Sequence, residues 1–386
     1  MTKWDANAKA FFDLVRAGLW ENGEFKSSDF KIQSVVDWEE VYRLANEQSV
    51  LGLVLAGIDY LPIEQRPPKV ELLQWIGEIQ MLEQQNQAMN KFIGELVEKM
   101  RVAGIYTLLV KGQGVAQCYE KPLWRSCGDV DLLLDNDNYQ KAKVFLSEMA
   151  DHVDEEDKEK LHLGMTIDSW VVELHGTMRT QISSRMNRGI DEVHHDLFYG
   201  GNVRSWMNDG IQVFLPGPNN DVLLIFTHFL QHFFIGGVGL RQICDWCRLL
   251  WTYKDSLNHG LLESRIRKMG LMSEWKAFGA FAVEYLGMPV EAMPFVNANN
   301  GFDKLTINKS LKKKAKKICE VVLNDGNFGH NQDYSYRQKY SGLRSYLITF
   351  FRRLGEFGKK VTIFPVDAPK FFCHYVTNRF LAKLKK

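Results

Sequence analysis

The sequence predicts an α+β protein in which a small mixed sheet with flanking helices lies between two helical regions. Two observations predict this fold. Apolar residues recur at three- and four-residue spacing over the first hundred residues and again after residue 220, which is the period of amphipathic helices. Between residues 104 and 215 the pattern changes to short segments rich in β-branched and aromatic residues, which is typical of strands.

The composition is that of a globular protein. Of the 386 residues, 45% are hydrophobic and 25% are charged, which excludes a disordered or fibrous chain. This length favours two or three compact units. We expect an N-terminal helical region at 1–100, a core domain at 101–215, a helical domain at 216–330 and a basic aromatic segment at 331–386.

The charge and the cysteine content help to predict the cellular compartment of the protein but do not identify a binding partner. The formal net charge is +1, yet residues 336–386 hold twelve Lys and Arg against two acidic residues, so the remainder is net acidic. Six scattered cysteines are too few for a disulfide framework in a chain of this length. The first residues carry charges within their apolar stretch and lack a small-residue cleavage site, so no signal peptide is predicted. We therefore expect a cytoplasmic protein with reduced thiols.

The N-terminal region is predicted to be helical. Apolar spacing gives helices at 8–19, 38–48 and 70–100, and the proline pair at 67–68 breaks the chain before the last of them. One later stretch, 222–240, runs without a formal charge over nearly the length of a membrane-spanning helix. It contains two histidines, a glutamine and three glycines, so a buried helix is the favoured interpretation.

The central region alternates predicted strands with turns. Residues 105–112 have the composition of a buried strand and end in the glycine turn 111–114, and a second strand is predicted at 128–134. The remaining predicted segments are a short helix at 115–119, a polar turn at 135–138, a helix at 139–149, a solvated charged turn at 151–160, and strands at 161–167, 170–174 and 211–215. The turn at 216–220 then returns the chain to helices, the first of them capped by Asp221.

Two aspartates on the second predicted strand are the main candidates for chemistry. Asp129 and Asp131 flank Val130, and alternate strand residues point to the same face with Cα atoms roughly 6.5–7 Å apart. Carboxylates at this spacing can converge on a pair of divalent cations, which clamp the attacking and leaving oxygens in phosphoryl transfer. Glu173 is a candidate third carboxylate on a later strand, with Asp168 as its competitor. The pattern predicts a site for two Mg²⁺ or Mn²⁺ ions.

The segment upstream of the acid pair has the parts of a phosphate-binding turn. Lys111 ends a strand, Gly112 and Gly114 form the turn, and a short helix and then Arg125 follow. The order of Lys-Gly, helix, Arg, Asp-Val-Asp and a later strand-borne acid resembles a known pattern. It is that of the uncharacterised nucleotidyltransferase family of the polymerase-β-like superfamily, which is related to the abortive-infection nucleotidyltransferase toxins.

This resemblance covers most of residues 100–255 and is specific mainly between 111 and 134. It implies a polymerase-β-like nucleotidyltransferase core framed by helical regions. It also implies that Asp129, Asp131 and Glu173 are the catalytic residues and the metal ligands.

The resemblance further implies how a nucleotide is bound. Lys111, Gly112 and Gln113 would face the triphosphate, and Arg125 would pair with a phosphate or orient the first aspartate. Gln113 departs from the pattern, because many superfamily members have a glycine or serine there. Ser126 is the substitute that we consider for the missing hydroxyl.

The implied reaction moves a nucleoside monophosphate from an NTP to an acceptor hydroxyl and releases pyrophosphate. The acceptor would be a sugar phosphate, a lipid-linked saccharide, an RNA end or a protein hydroxyl, and the family's association with surface polysaccharide pathways favours the first two. Two alternatives stay open. One is a toxin-like nucleotidyltransferase that modifies tRNA or protein; the other is a nucleotide-binding scaffold with a decayed site, which Gln113 supports best.

Three histidines are further candidates. His175 follows Glu173 by two strand positions, so both side chains face the same way, and it is a candidate general base or partner of a metal ligand. His228 and His232 share one helix face and are candidates for contact with the nucleotide or the acceptor. Burial with ordinary hydrogen bonds is the alternative for all three. A zinc site formed with the cysteines at 244 and 247 is less favoured than core packing.

The C-terminal segment combines aromatic and basic residues at 346–354 and 371–386. This composition suits peripheral contact with an anionic membrane surface or with RNA. A solvated helix packed on the body of the protein would have the same composition and is the alternative.

Overall fold

The computed structural model describes residues 6–20, 35–295, 307–327 and 342–384. The N-terminal part contains helices α1 (Ala6–Leu19), α2 (Trp38–Glu47), α3 (Leu51–Ile58) and α4 (Lys69–Val102). Helices α1, α2 and α4 confirm the three helices predicted from apolar spacing. The spacing does not predict α3, because its sequence is apolar on nearly every side and has no polar face to reveal a helical period.

Helices α1 and α3 cross with their backbones in contact. A Cβ atom on Gly18 would lie 2.0 Å from the Leu53 carbonyl oxygen, and one on Gly57 would lie 2.2 Å from the Leu14 carbonyl oxygen. The two glycines are therefore reciprocal, each facing the backbone of the opposite helix. This close approach lets both helices bury apolar side chains in one core.

The central region forms a five-stranded mixed sheet. Its strands are β1 (Leu108–Val110), β2 (Asp129–Leu133), β3 (His152–Val153), β4 (His162–Ile167) and β5 (Trp170–His175). They lie in the order β1-β2-β5-β4-β3, with β2 and β5 parallel and the other neighbours antiparallel. The predicted α+β fold is thus confirmed.

Two details of the sheet differ from the prediction. The first strand is three residues long rather than the eight predicted at 105–112. The charged stretch 151–160 is predicted as a solvated turn, but the backbone of 152–153 pairs with Thr166 and Met165 at the sheet edge. Exposed, charged residues are usual on an edge strand, which is why the composition alone suggests a turn.

Further elements flank the sheet or follow it. These are helices α5 (Gly112–Ala116), α6 (Asn136–Ser147) and α7 (Ser184–Phe198), and the hairpin of strands β6 (Val203–Asn208) and β7 (Ile211–Pro216). Helix α5 begins at Gly112 instead of residue 115, because the chain turns sharply at Lys111. Helix α7 and strand β6 are not predicted from the sequence.

The second helical part surrounds a long buried helix. Its helices are α8 (Pro218–Ile235), α9 (Leu240–Thr252), α10 (His259–Met269), α11 (Met272–Leu286), α12 (Lys309–Asp325), α13 (Gly342–Val361) and α14 (Asp367–Leu384). Residues 331–341 of the predicted basic segment lie outside the described residues. Among the residues described, no helix is both long enough and apolar enough to cross a membrane.

Helix α8 starts one turn earlier than predicted. Gly217 is the N-cap and Pro218 occupies the first turn, where its missing N–H costs no hydrogen bond. Asp221, predicted as the cap, lies inside the first turn instead. Its carboxylate accepts a hydrogen bond from the Arg204 guanidinium at 2.7 Å.

Two hydrophobic clusters hold these elements together. One packs the second half of α4 and helix α6 against the sheet through residues such as Phe92, Leu132 and Leu146. The other joins α1, α2 and α3 to the helices after residue 217 through residues such as Phe11 and Trp246. Strand β2 contributes side chains to both clusters, with Leu133 in the second, so the position of its carboxylates is fixed from both sides.

Two glycine-to-alanine changes, one at the α1–α3 crossing and one outside it, should have opposite effects on the free energy of unfolding. Gly57→Ala should lower the free energy of unfolding by about 2–3 kcal/mol, because the new methyl group must push the helix backbones apart. Gly77→Ala, in helix α4 where no atom of the described residues lies within 4 Å of the added atom, should raise it by about 0.5–1 kcal/mol. Urea denaturation of the two variants measures both changes, and equal effects would contradict the close crossing.

Candidate active site

The turn after β1 places a lysine beside the acidic strand. Lys111 has φ +56° and ψ −144°, a conformation that residues other than glycine rarely adopt. The next residue, Gly112, also has positive φ, and a Cβ atom there would lie 3.1 Å from the Cys127 sulfur. This sharp turn leads from strand to helix within one residue. It directs the Lys111 ammonium to the carboxylate of Asp131, 2.6 Å away.

Three carboxylates meet on one face of the sheet. Parallel pairing of β2 and β5 sets Asp131 directly opposite Glu173, and Asp129 lies two residues before Asp131 on the same face. One oxygen from each of the three carboxylates lies within 4.8 Å of the other two. The three acidic residues predicted from the sequence are therefore brought together. Oxygen donors at this spacing fit a divalent cation such as Mg²⁺ or Mn²⁺.

Two histidines adjoin this carboxylate site. His175 Nε2 lies 2.7 Å from an oxygen of Asp131 and 3.4 Å from an oxygen of Glu173. His162, on β4, is paired with His175 across the antiparallel ladder, and its Nε2 lies 3.2 Å from the same Glu173 oxygen. His175 thus has the place that the sequence predicts for it. His162 is a site residue that the sequence analysis misses.

The buried charges of the site shift one another's pKa values in opposite directions. Burial alone would raise the pKa of Asp131, but the Lys111 ammonium and the His175 hydrogen bond outweigh it and lower the pKa. Hydrogen bonds from His162 and His175 hold the pKa of Glu173 far below its ordinary value. Both carboxylates are therefore ionised at neutral pH, and their charge is balanced by cationic groups of the protein.

Asp129 differs from its two neighbours. Burial and the negative charge of Asp131 raise its pKa, and the Lys111 charge only partly opposes them. No hydrogen bond of the protein compensates this carboxylate in the part of the chain that the structure describes. The site therefore has one acidic group whose ionised form the folded protein disfavours, as expected where a cation is to bind.

The loop between the turn and β2 is fixed by a buried ion pair. Arg125, predicted to meet a phosphate, donates from Nε and Nη2 to the two carboxylate oxygens of Asp245 on α9, both at 2.7 Å. The Tyr119 hydroxyl donates to Asp245 at 2.8 Å. The remaining Arg125 nitrogen, Nη1, donates to the Ser126 carbonyl. The hydrogen bonds of Arg125 that the structure shows therefore support the loop and do not involve the three carboxylates.

Gln113 also points away from the carboxylates. Its side chain is buried, and its Nε2 donates to the Asn86 Oδ1 of helix α4 at 2.7 Å. Asn86 in turn donates to the carbonyl oxygens of Leu123 and Arg125, at 2.7 and 2.9 Å. Gln113 thus belongs to the support of the same loop.

Arg241 is the arginine whose charge acts on Asp129. It is the second residue of helix α9 and donates a hydrogen bond to the Ser126 carbonyl, while its Nε has no hydrogen-bond partner among the described residues. Arg241 also lines a cavity of about 240 Å³, together with Tyr60 and Trp124. The cavity wall thus combines aromatic side chains with a cationic group. Sequence reasoning assigns Arg241 no role, because nothing in its local pattern links it to β2.

The histidines of helix α8 lie close to the site but outside its metal-binding clusters. His228 and His232 are half-buried with ring centroids 4.6 Å apart, and burial and the Lys111 charge lower the pKa of both, that of His232 to about 4. Cys244 and Cys247 are buried in the core on α9. Among the described residues, the groups that could hold a metal include none of these four, which agrees with core packing of the cysteines.

Asp168, the competitor of Glu173, lies away from Asp131. It occupies the two-residue turn between β4 and β5, where both Asp168 and Ser169 have positive φ. This conformation is that of a tight hairpin turn, in which aspartate is favoured for its backbone tolerance. Glu173 is therefore the acidic residue beside Asp131.

Comparison with known proteins identifies a family. The family described as uncharacterised nucleotidyltransferase matches residues 34–287, well over half of the chain. The match includes the sheet, the three carboxylates and helices α8 and α9. None of the curated proteins matches the chain.

The opposite pKa shifts of the two aspartates predict opposite effects on stability. Asp131→Asn should lower the metal-free stability at pH 7 by about 2–4 kcal/mol, because Lys111 stays buried without its counter-charge. Asp129→Asn should raise it by about 0.5–1 kcal/mol, because the disfavoured negative charge is removed. Denaturation in the presence of a chelator measures both.

The pH dependence provides the control for this pair. The depressed pKa of Asp131 stabilises the fold above the pKa that this group has in the unfolded chain, and that stabilisation is lost as the pH falls through its folded pKa. The difference between the natural chain and Asp131→Asn should therefore shrink on acidification. A difference that is constant down to pH 3 would show that the charge of Asp131 is not its cause.

Proposed function

The chain belongs to the uncharacterised nucleotidyltransferase family, and from this we propose that it moves a nucleoside monophosphate from an NTP to an acceptor hydroxyl. Pyrophosphate is the second product. The observation that carries the proposal is the meeting of Asp129, Asp131 and Glu173 on one sheet face beside Lys111. The α+β fold is consistent with a nucleotidyltransferase core framed by helices.

The chemistry of the three carboxylates fits the proposed reaction. Asp129, Asp131 and Glu173 would hold divalent cations, Mg²⁺ or Mn²⁺ by their preference for oxygen donors. When bound, such ions neutralise the phosphate charges and orient the attacking and leaving oxygens. The strand backbone keeps the three carboxylates in place, so little reorganisation is needed on binding.

Lys111 has two roles in this proposal. In the metal-free protein its ammonium neutralises Asp131 at 2.6 Å. A cation at the carboxylates would compete with this ion pair and leave the ammonium available to a phosphate oxygen of the donor. The resemblance to the family implies that Gly112 faces the triphosphate with Lys111, and we assign the N–H groups of this turn to the triphosphate as well.

The acceptor proton needs a base near the carboxylates. Glu173 lies next to both His162 and His175, and their hydrogen bonds keep it ionised. We propose that Glu173 accepts a hydrogen bond from the acceptor hydroxyl and that a base near it, His175, takes up the proton. The acceptor itself is proposed on family grounds as a sugar phosphate or a lipid-linked saccharide.

Thermal stability with nucleotides tests the proposal without knowledge of the acceptor. The natural chain is heated with each NTP in Mg²⁺ or Mn²⁺, and a ligand at about a hundred times its dissociation constant should add roughly 2.7 kcal/mol, or several degrees in Tm. The shift should need the metal and should disappear in the Asp129→Asn/Asp131→Asn variant, each protein being compared with its own ligand-free Tm.

Asp168→Asn is the matched control for this experiment. It makes the same chemical change at a hairpin turn whose positive φ asparagine tolerates well, so the nucleotide shift should remain. Equal shifts in the natural chain and the double variant would contradict the proposed site. Nucleotide binding without turnover over a broad set of acceptors would favour the scaffold alternative.

A toxin-like enzyme that modifies tRNA or protein is the second candidate, since it would use the same carboxylates. Expression should then arrest growth, and the double variant should relieve the arrest. A housekeeping transferase would give no arrest in either case.

The exposed face of helix α13 supports a proposal about location. Phe351 and Leu354 are 64% and 43% exposed, and Arg352 and Lys359 lie exposed on the same helix. Apolar and basic groups on one helix face are typical of binding to an anionic lipid surface. We propose that this face binds peripherally to an anionic membrane. RNA is the alternative partner for the same face.

Co-sedimentation with vesicles tests the membrane contact. The natural chain should pellet with vesicles that contain anionic lipid at low salt, and Phe351→Ser/Leu354→Ser should reduce the pelleted fraction severalfold. Val144→Ser, which removes a similarly exposed apolar side chain from α6, should have no effect. Absence of pelleting at low salt would exclude the membrane proposal and turn attention to RNA.

A further inference from the structure

A second set of donor atoms lies beside the three carboxylates. One donor atom from each of His162, Glu173 and His175 lies within 4.8 Å of the donor atoms of the other two. Both imidazole nitrogens face the same carboxylate oxygen, at 3.2 and 3.4 Å. The two rings lie 4.9 Å apart, centroid to centroid. The set shares Glu173 with the carboxylate site but adds two nitrogen donors to it.

The sheet holds these donors rigidly. His162 and His175 are partners across the β4–β5 ladder, and Glu173 is the next residue of β5 on the same face. Its partner across the ladder is Gly164, where a side chain would meet the Asp154 carboxylate at 2.4 Å. Because no side chain stands between them, both histidines reach the Glu173 carboxylate.

We propose that His162, Glu173 and His175 form a cation site that selects a transition metal. Two imidazoles and one carboxylate suit Mn²⁺, Fe²⁺, Co²⁺ or Zn²⁺, whereas Mg²⁺ prefers oxygen donors throughout. The carboxylates of Asp129 and Asp131 supply only oxygen. The two halves of the acidic face therefore differ in the metal that they favour, with Glu173 common to both.

The location of His175 gives this site a link to the carboxylate site. Its Nε2 lies 2.7 Å from Asp131 and 3.4 Å from Glu173. A ring nitrogen between two carboxylates serves either as a hydrogen-bond donor to them or as a ligand to a cation among them. His162 contacts Glu173 but has no such contact with Asp131 among the described residues, so a change at His162 removes a donor of the second site and leaves the three carboxylates in place.

Any part that this second site has in catalysis rests on the proposed function, whereas metal binding rests on the donor atoms alone. Its test therefore needs no nucleotide. Co²⁺ is titrated into the metal-free protein, and the visible absorption of the bound ion reports the number and type of its ligands. The natural chain should bind one Co²⁺ with nitrogen ligands, and a large excess of Mg²⁺ should not displace it.

The variant His162→Asn should weaken the binding of this ion by at least about tenfold and shift its spectrum. His152→Asn is the matched control, since His152 is exposed on the neighbouring edge strand and pairs only with Asp154 among the described residues. It should leave the affinity and the spectrum unchanged. Circular dichroism of each metal-free variant verifies that it is folded.

The outcomes separate this site from the proposed function. A Co²⁺ spectrum that is the same in the natural chain and in His162→Asn overturns the second site, because His162 then only donates a hydrogen bond to Glu173. That result would not change the Tm shift that we expect with an NTP and Mg²⁺. Conversely, Co²⁺ binding that depends on His162 supports the site even if no NTP changes the Tm.

Discussion

The site depends on one buried carboxylate. Asp131 is 2% exposed, and it is the group on which Lys111, His175 and, through the strand register, Glu173 converge. A buried ion pays a large desolvation cost unless it is paired and hydrogen-bonded. The protein compensates this cost with Lys111, which follows β1, and with His175 at the end of β5, the strands on either side of β2. Asp129 differs, because among the described residues no hydrogen bond reaches its carboxylate and burial raises its pKa.

The surrounding fold fixes where Asp131 can be. Strand β2 lies between β1 and β5, and its apolar side chains enter both hydrophobic clusters. The loop before it is held by hydrogen bonds from helix α4 and by the Arg125–Asp245 pair with helix α9. Elements from the N-terminal helices, the sheet and the second helical part thus meet at this loop. Because all of them bear on one short strand, small movements of its carboxylates are restrained, which favours a site formed before ligand arrives.

Much of the acidic face could be predicted from local pattern. Asp129 and Asp131 follow from strand alternation alone, and the two-residue turn at 168–169 fixes the register of the hairpin around it. That register also places His162 opposite His175, so the position of His162 at the site could have been predicted from the sequence. The partner of Arg125 was not, because Asp245 is 120 residues away and only tertiary packing joins them. Helix α3 was hidden for another reason, since a helix that is apolar on all sides has no period to detect.

The departure at Gln113 takes on a different meaning in the fold. In the sequence it suggests a decayed site, because a long amide replaces a small or hydroxyl-bearing residue next to the phosphate turn. In the structure its side chain enters the core and positions Asn86, which binds two carbonyl groups of the loop before β2. A glycine or serine could not reach Asn86. The glutamine therefore supports the loop that leads to the strand with Asp129 and Asp131, so its presence does not indicate a decayed site.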